Sequence, residues 1–309
     1  MKKIIIGFCV CFLMGNAHAW PFGKSMPKAK VTIHVVDETG QPVTNANIAV
    51  GFYQGGNAWV GETKSETIRG TSDSNGLFSA QGRCINDVSM FAEKEGCYRT
   101  SAERYFYNTK MKKGRWQPWN PTNTIVLKQI KNPIPMYVRG VNLGVPGFDE
   151  PLGFDLEKGD WVAPYGKGVI SDFIFYATLD KRSSQDSDYR LTLIFPNEKD
   201  GIQTFGETTG SKFKSDHNAP LNGYLSEWKQ FRKRRPKIGE TNNIDQNRKF
   251  YFRIRTKLDE QGNIVSAQYG KIYGDFLQFA YYLNPTPNDR NVEFDPNKNL
   301  FGGRNRFAP

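Results

Sequence analysis

Five carboxylates fall within twelve residues of this chain: Asp149, Glu150, Asp155, Glu157 and Asp160. A pair of carboxylates about 5 Å or about 9 Å apart is all that most glycoside hydrolases need for acid/base or nucleophilic work. Spacing along the chain does not fix spacing across a cleft, and Glu157 and Asp160 also flank Lys158-Gly159 as turn residues would. A second acidic stretch, 284–299, offers Asp289, Glu293 and Asp295 as oxygen ligands for calcium, but without the alternating spacing of an EF-hand loop, and it reads as a structural loop. The opposite charge gathers in "WKQFRKRRPK" (228–237), where Lys229, Arg232, Lys233, Arg234, Arg235 and Lys237 are six cations in nine positions. Such a cluster fits an anionic polymer, glycan or lipid surface through salt-sensitive contacts that read no nucleic-acid sequence. Finally, Trp116 and Trp119 in "GRWQPWN" are either stacking platforms for sugar rings or aromatic cover beside a boundary.

What the chain lacks narrows the chemistry further. It has three histidines in 309 residues, His18, His34 and His217. Metal sites and acyl-transfer sites usually draw on imidazole, so no metal and no cofactor is expected. The N-terminus explains one loss. Lys2 and Lys3 precede an apolar run from Ile4 to Gly15, and Ala17-His18-Ala19 gives a small-x-small cleavage pattern before Trp20. The run is short for a permanent anchor. Phe8 and Val10 precede Cys9 and Cys11 where a lipoprotein signal wants a small residue. Export by a signal peptide, residues 1–19, to the periplasm or the outside is the expectation. Removing it takes Lys2 and Lys3 from the 42 basic residues and none of the 31 acidic ones, which leaves a formal charge of +9. Cys84 and Cys97 remain. An oxidising compartment would let them pair, yet a straight strand over 88–93 would hold its ends roughly 20 Å apart. A bend or the Lys94-Glu95-Gly96 turn would be needed to join them, and two buried thiols are the alternative.

The elements that would position these residues read as strands. Val31, Ile33 and Val35 alternate, Asp37 to Val43 turn, and Ala46, Ile48 and Val50 alternate again. "TSDSNGLFSAQG" (71–82), "VSMFAEKEGCYRTS" (88–101) and "TNTIVLKQI" (122–130) continue in the same period, predicting an antiparallel sandwich over 27–130. Pro133 and Pro135 mark a boundary. Beyond it, 153–179, 189–196 and 249–276 again alternate, with a hairpin turn at Gln261-Gly262-Asn263. Leu221, Tyr224, Leu225 and Trp228 instead fall at i, i+3, i+4 and i+7 between Pro220 and Pro236, which predicts an amphipathic helix over 220–234 with the cations at its C-terminal end. Cations there would also suit the helix dipole.

Val31-x-Ile33-x-Val35, Asp37, Gly40, Pro42-Val43, Asn45-Ala46, Ile48 and Val50 resemble the opening of carboxypeptidase regulatory-like domains, the transthyretin-like sandwich. Thr71-x-Asp73-x-Asn75-Gly76-x-Phe78 is similar to that family's "T-D-x-N-G-x-F" hairpin, with Ser72 as one extra residue, and Lys94-x-Gly96-x-Tyr98 to its "K-x-G-Y" strand end. The resemblance covers about a third of the chain and implies an accessory or adhesive module. The peptidase that gives the family its name needs a His-x-x-Glu zinc pair, and neither His34 nor His217 begins one.

The sequence thus predicts a mainly β protein: signal peptide 1–19, transthyretin-like β-sandwich 27–130, a second mostly-β domain 136–303 with one amphipathic helix, and a tail 304–309. The expected function is non-catalytic binding or scaffolding at the cell surface or in the periplasm, with a carbohydrate-active hydrolase as the alternative. Nothing in the sequence fixes an oligomeric state.

Overall fold

The computed structural model describes residues 26–57, 62–106, 109–142, 144–206, 210–302 and 307–309. The expected signal peptide lies outside the described residues, as do positions 304–306 of the expected tail. Every regular element among the described residues is a β-strand. The strands form two compact units, the first from residues up to Val36 with Pro42–Ala92 and Ser101–Ile125, the second from Asp37–Gln41, Glu93–Thr100 and Val126–Pro309.

Two sheets build the first unit. Strand Lys28–Asp37 pairs with Leu77–Arg83 along Lys28↔Arg83 to His34↔Leu77, and Asn47–Asn57 pairs with Glu62–Thr71 from Asn47↔Thr71 onward. Along Lys28–Asp37 the alternation expected from the sequence is realised: Ala29, Val31, Ile33 and Val35 are buried while Lys28, Lys30, Thr32 and His34 are not. Val50, Phe52, Val88 and Met90 fill the same core. The turns follow from side-chain acceptors. Asp37 Oδ1 accepts the N–H groups of Thr39 and Gln41 at 2.8 and 2.9 Å. In the second hairpin Asp73 does this, taking the N–H groups of Asn75 and Leu77 at 2.9 and 2.8 Å. Gly76 stands at φ +72° with the place of a Cβ 2.4 Å from the Val35 carbonyl oxygen, so both backbone and space require glycine there.

In the second unit two six-stranded sheets enclose the main core. One runs, in spatial order, Gly201–Thr204, Lys249–Leu258, Ile264–Asp275, Gln278–Leu283, Ile134–Asn142, Phe294–Asn299; the other runs Asp160–Trp161, Pro151–Asp155, Phe173–Lys181, Ser187–Ile194, Glu227–Arg235, Gly239–Asn242. Phe173, Phe175, Leu191 and Leu193 from one meet Phe250, Phe252, Ile254 and Tyr281 from the other. The rings interlock mostly edge to face, as Phe173 and Phe252 do at 5.4 Å and 83°. Pro135, expected at a boundary, lies inside a strand. The ladder shifts register between Ile134↔Phe294 and Met136↔Asn299, so its missing N–H falls where the pairing is interrupted.

The expected helix over 220–234 is not formed. Glu227–Arg235 is a strand paired to Ser187–Ile194 from Ser187↔Arg234 to Ile194↔Glu227 and to Gly239–Asn242 on its other side. Leu221 and Leu225, two of the four residues that carried the helical period, are 57 and 56 % exposed. Gly223 adopts φ +92°. The i, i+3, i+4 pattern was a coincidence of a loop with a strand start; 187–194 pairs with 227–234 and 239–242 with 232–235, giving this segment ladder bonds in place of those a helix would have made internally.

One arginine ties the inner strands to the loop above them. Arg255 has φ 54° at a bulge where the ladder to Ile264–Asp275 shifts between Ile254 and Lys257. Its Nε and an Nη bind both oxygens of Asp172 at 2.7 and 3.0 Å, and its other Nη lies 2.6 Å from Glu157. Asp172 is fully buried. Burial pushes its carboxyl above the ordinary range, and Arg255 opposes that. Arg255→Met leaves this carboxylate without its partner, which should cost about 3–5 kcal/mol at pH 7. In the variant the folded-state pKa of Asp172 exceeds the unfolded one, so folding takes up a proton and the deficit should shrink as pH falls toward 5. Urea midpoints of both proteins across that range check this; a pH-independent deficit contradicts it.

Candidate functional site

Most of the carboxylates offered for catalysis are engaged within the protein, two by backbone N–H groups and two by side chains. Asp155 is 2 % exposed. Its Oδ1 accepts the N–H groups of Glu157 and Lys158, both at 3.0 Å, and its Oδ2 those of Val169 and Ile170 at 3.0 and 3.1 Å. Burial raises the Asp155 carboxyl, and these N–H donors with Arg255 outweigh it, so the group titrates below the usual range. Asp160 accepts from Trp161 N and Lys167 N, both at 2.9 Å. Glu157 is held by Arg255, and Glu150 accepts the Tyr165 hydroxyl at 2.7 Å. Four of the five carboxylates therefore shape the 155–172 loop or its flank. Asp149 instead lines a shallow cleft of about 330 Å³ with Asp180, Asp188 and Arg190.

The acidic stretch near the C-terminus behaves alike. Asp289 accepts from Asn291 N and Asn284 Nδ2, each at 3.0 Å, and Asp295 pairs with Lys298 at 3.2 Å. Glu293, 1 % exposed, accepts the Tyr98 hydroxyl at 2.8 Å and the N–H groups of Lys131 and Asn132 at 2.9 and 2.7 Å. Among the described residues no three His, Cys, Asp or Glu side chains come together as metal ligands would.

The six cations expected at a helix end lie instead on a strand and the hairpin after it. Lys229 pairs with Glu227 at 2.7 Å, Arg232 and Arg234 with Glu240 at 3.4 and 2.9 Å, and Arg235 with Asp188 and Asp186 at 2.6 and 3.4 Å. Glu240 consequently titrates below the usual range, its carboxylate bound by Arg234. Lys233 sits over the Phe231 ring at 5.8 Å, and Lys237 occupies the turn at φ 65°. Alternate residues of a strand face opposite ways, so the cations are divided between two faces rather than gathered on one.

The two tryptophans part company. Trp116 is 7 % exposed, donates Nε1–H to the Cys84 carbonyl at 3.2 Å and stacks on Phe106 at 5.9 Å, so its ring is core and unavailable to a sugar. Trp119 is half-buried under the Arg115 guanidinium at 4.8 Å. Cys84 and Cys97 are both free thiols, the first buried and the second partly so.

The sequence reading missed a buried amine. Lys271 is fully buried, donates to Ser215 Oγ at 3.2 Å, and faces the Phe213, Tyr282 and Tyr273 rings at 4.6, 4.9 and 5.2 Å. Burial holds its amine well below the ordinary lysine range, with Glu293 pulling it up and Lys128 pushing it down. The one signal in "AQYGKIYGD" is that Tyr269 and Tyr273 share a strand face with Lys271, and alternation alone does not say that this face is buried.

No family model matches the chain, and neither does any curated protein. Solved structures give distant likenesses. A 3-chlorocatechol 1,2-dioxygenase from Rhodococcus opacus 1CP matches at 12 % identity and TM-score 0.28 over 35 % of this chain and 62 % of its own. A streptococcal ancillary pilin matches at 9 % identity and TM-score 0.22 over 74 and 54 %. The shaft pilin of Lactobacillus rhamnosus GG, as its D295N mutant, matches at 9 % identity and TM-score 0.24 over 79 and 93 %. The chain thus spans less than two thirds of the first two, and likenesses this slight carry no argument about what it does.

Two outcomes follow from the buried groups. Thiol titration of the denatured, unreduced protein should find both Cys84 and Cys97 free. In the folded protein Cys84, its thiol pushed up to about 12 by burial and by Asp87, should resist alkylation at pH 8; one disulfide in place of two thiols contradicts this. Lys271→Met should stabilise the protein by about 1 kcal/mol or more at pH 7. The unfolded wild type binds a proton there that the folded lysine holds weakly, so the gap between variant and wild type should narrow as pH rises toward 10. Paired urea titrations at pH 7 and pH 9.5 decide it.

Proposed function

We propose that this protein is exported and that it binds an anionic polymer or surface without catalysing a reaction, its first unit a carboxypeptidase regulatory-like sandwich in an accessory role. The carrying observation is the state of the acidic loop. Asp155 accepts four backbone N–H groups, and Asp160, Glu157 and Glu150 are likewise engaged. A general acid must give up and regain a proton, and a carboxylate satisfied by four donors holds its charge too firmly for that. The formal charge of +9 expected of the exported chain supplies attraction to an anionic partner in either compartment. Export rests on the tripartite N-terminus, and the accessory role on the motifs from Val31 to Tyr98.

Within the basic strand, Lys233 and Lys237 are the cations to test, because Arg232, Arg234 and Arg235 also hold Glu240, Asp186 and Asp188 in place. The expected result is retention of the wild type on heparin at low ionic strength and elution as salt rises, with Lys233→Gln/Lys237→Gln eluting at lower salt and melting at an unchanged temperature. Incubation with soluble anionic and neutral polysaccharides should release no new reducing ends. Passage of the wild type through the column at low salt removes the polymer-binding reading, and reducing-end release restores the hydrolase.

A further inference from the structure

A second cationic feature of the same unit is concave, and nothing in the sequence pointed to it. A cleft of about 420 Å³ is lined by Lys199, Leu221, Asn222, Asn263, Ile264, Tyr269, Asn288 and Arg290. Its size falls in the ordinary range for a small-ligand site. No carboxylate is among the lining residues, although the chain carries 31 acidic residues. The polar lining is two cations, three asparagines and a tyrosine, and the apolar lining is Leu221 and Ile264.

Each of the two cations is anchored by a backbone carbonyl that takes one of its several donors. Arg290 spends one Nη on the Ala219 carbonyl at 2.7 Å. Lys199 spends one of its three N–H bonds on the Gly262 carbonyl. Arg253 ties two of the lining residues together, donating to the carbonyls of Lys199 and, at 2.8 Å, of Leu221, and packs over Tyr224 at 4.6 Å. Asn288 has both ends of its amide engaged, by Val265 O at 2.9 Å and Ala267 N at 3.0 Å, and so acts as wall. Asn263 gives its Nδ2 to Asp259 at 3.0 Å and leaves its Oδ1 as an acceptor. Asp259, on the turn beside the cleft, is satisfied by Asn263 and Gln261, and Lys199 helps hold its carboxyl below the usual range. Asp289, next in sequence to both Asn288 and Arg290, is turned to Asn284 and Asn291 N.

Each part of this lining selects a part of a ligand. An arginine with fork donors to spare and a lysine lining the same cleft suit a carboxylate or sulfate group. Amide acceptors and donors take hydroxyls, which need both. Leu221, 57 % exposed, with the half-buried Ile264 takes a face of C–H groups. A molecule with one anionic group, several hydroxyls and an apolar face is an acidic sugar. We propose that this cleft binds one acidic sugar residue of an anionic glycan, with Arg290 and Lys199 on its carboxylate or sulfate. The proposal rests on the polymer-binding reading above and names its substrate class and the residues that receive it.

The test is an amide NMR titration of the whole protein with three probes: an oligogalacturonide trimer, a sulfated disaccharide, and a neutral trimer. The expected result is saturable shifts at Asn222, Ile264 and Asn288 with a charged probe and none with the neutral one, the better of the two charged probes telling carboxylate from sulfate. Arg290→Gln should weaken that binding about tenfold, the scale of one hydrogen bond to an ionised group, and Leu221→Ala should weaken it without changing its salt dependence. Shifts that are absent with both charged probes, or equal with the neutral trimer, overturn the cleft. Heparin retention of the wild type separates this from the wider reading: retention without cleft shifts sinks the cleft alone, cleft shifts without retention leave the cleft standing and sink polymer docking, and loss of both sinks both.

Discussion

The second unit depends on Arg255, which stands where an extended strand would not put it. A non-glycine residue at φ 54° costs on the order of 1–3 kcal/mol unless its surroundings hold it. Here they do so from two sides. The bulge takes the N–H groups of Arg255 and Thr256 off the ladder, and Asp200 receives them at 3.1 and 2.9 Å. Asp200 is 2 % exposed, and burial pushes its carboxyl up against those donors. The guanidinium, aimed by the bulge, closes on Asp172, Glu157 and Asp155. Asp172 in turn accepts Leu156 N at 2.9 Å, and Asp155 accepts the four N–H groups of its loop. One strained residue thereby fixes a loop of some eighteen positions that has almost no regular structure of its own.

This arrangement explains why the acidic loop looked catalytic in the sequence and does not look so in the fold. Carboxylates crowd a segment either to act on a ligand or to satisfy a backbone that lacks a ladder, and sequence spacing does not tell the two apart. The difference is made by Arg255, about a hundred residues away and unremarked because it sits in "FYFRIRTKL", which reads as an ordinary strand. Likewise the period-2 pattern of 31–50 and the turn acceptor Asp37 were legible, since a hairpin is a local structure whose residues state their own roles. The same locality failed over 220–234. There the deciding partners, 187–194 and 239–242, lie outside any window in which periodicity is counted.

Lys271 and the basic strand show a second limit of composition. A lysine inside an alternating strand reads as a solvent-facing residue, yet Lys271 is wholly enclosed by rings and Ser215. A run of arginines reads as a free positive field, yet Glu240, Asp186 and Asp188 neutralise most of it. Counting charges gave the sign of the protein correctly and the location of its usable charge poorly. What decides location is where partners are missing, and partners are a tertiary property.

That distinction also separates the two cationic places in the second unit. On the basic strand the guanidinium groups face carboxylates at 2.6 to 3.4 Å, so an incoming anion must displace an ion pair and gains only the difference between two similar contacts. In the cleft, Arg290 and Lys199 are anchored by carbonyl oxygens, which orient a cation without cancelling its charge. No carboxylate is among the lining residues, and Asp259 on the turn beside the cleft is the acidic group that feels Lys199. An anion entering there exchanges water for charged donors beside an apolar wall, and loses less by desolvation because the donors are already fixed. Cations outside those pairs, Lys233 and Lys237, suit loose, salt-sensitive attraction along a polymer, and the carbonyl-anchored cations of the cleft suit the recognition of a single group on it.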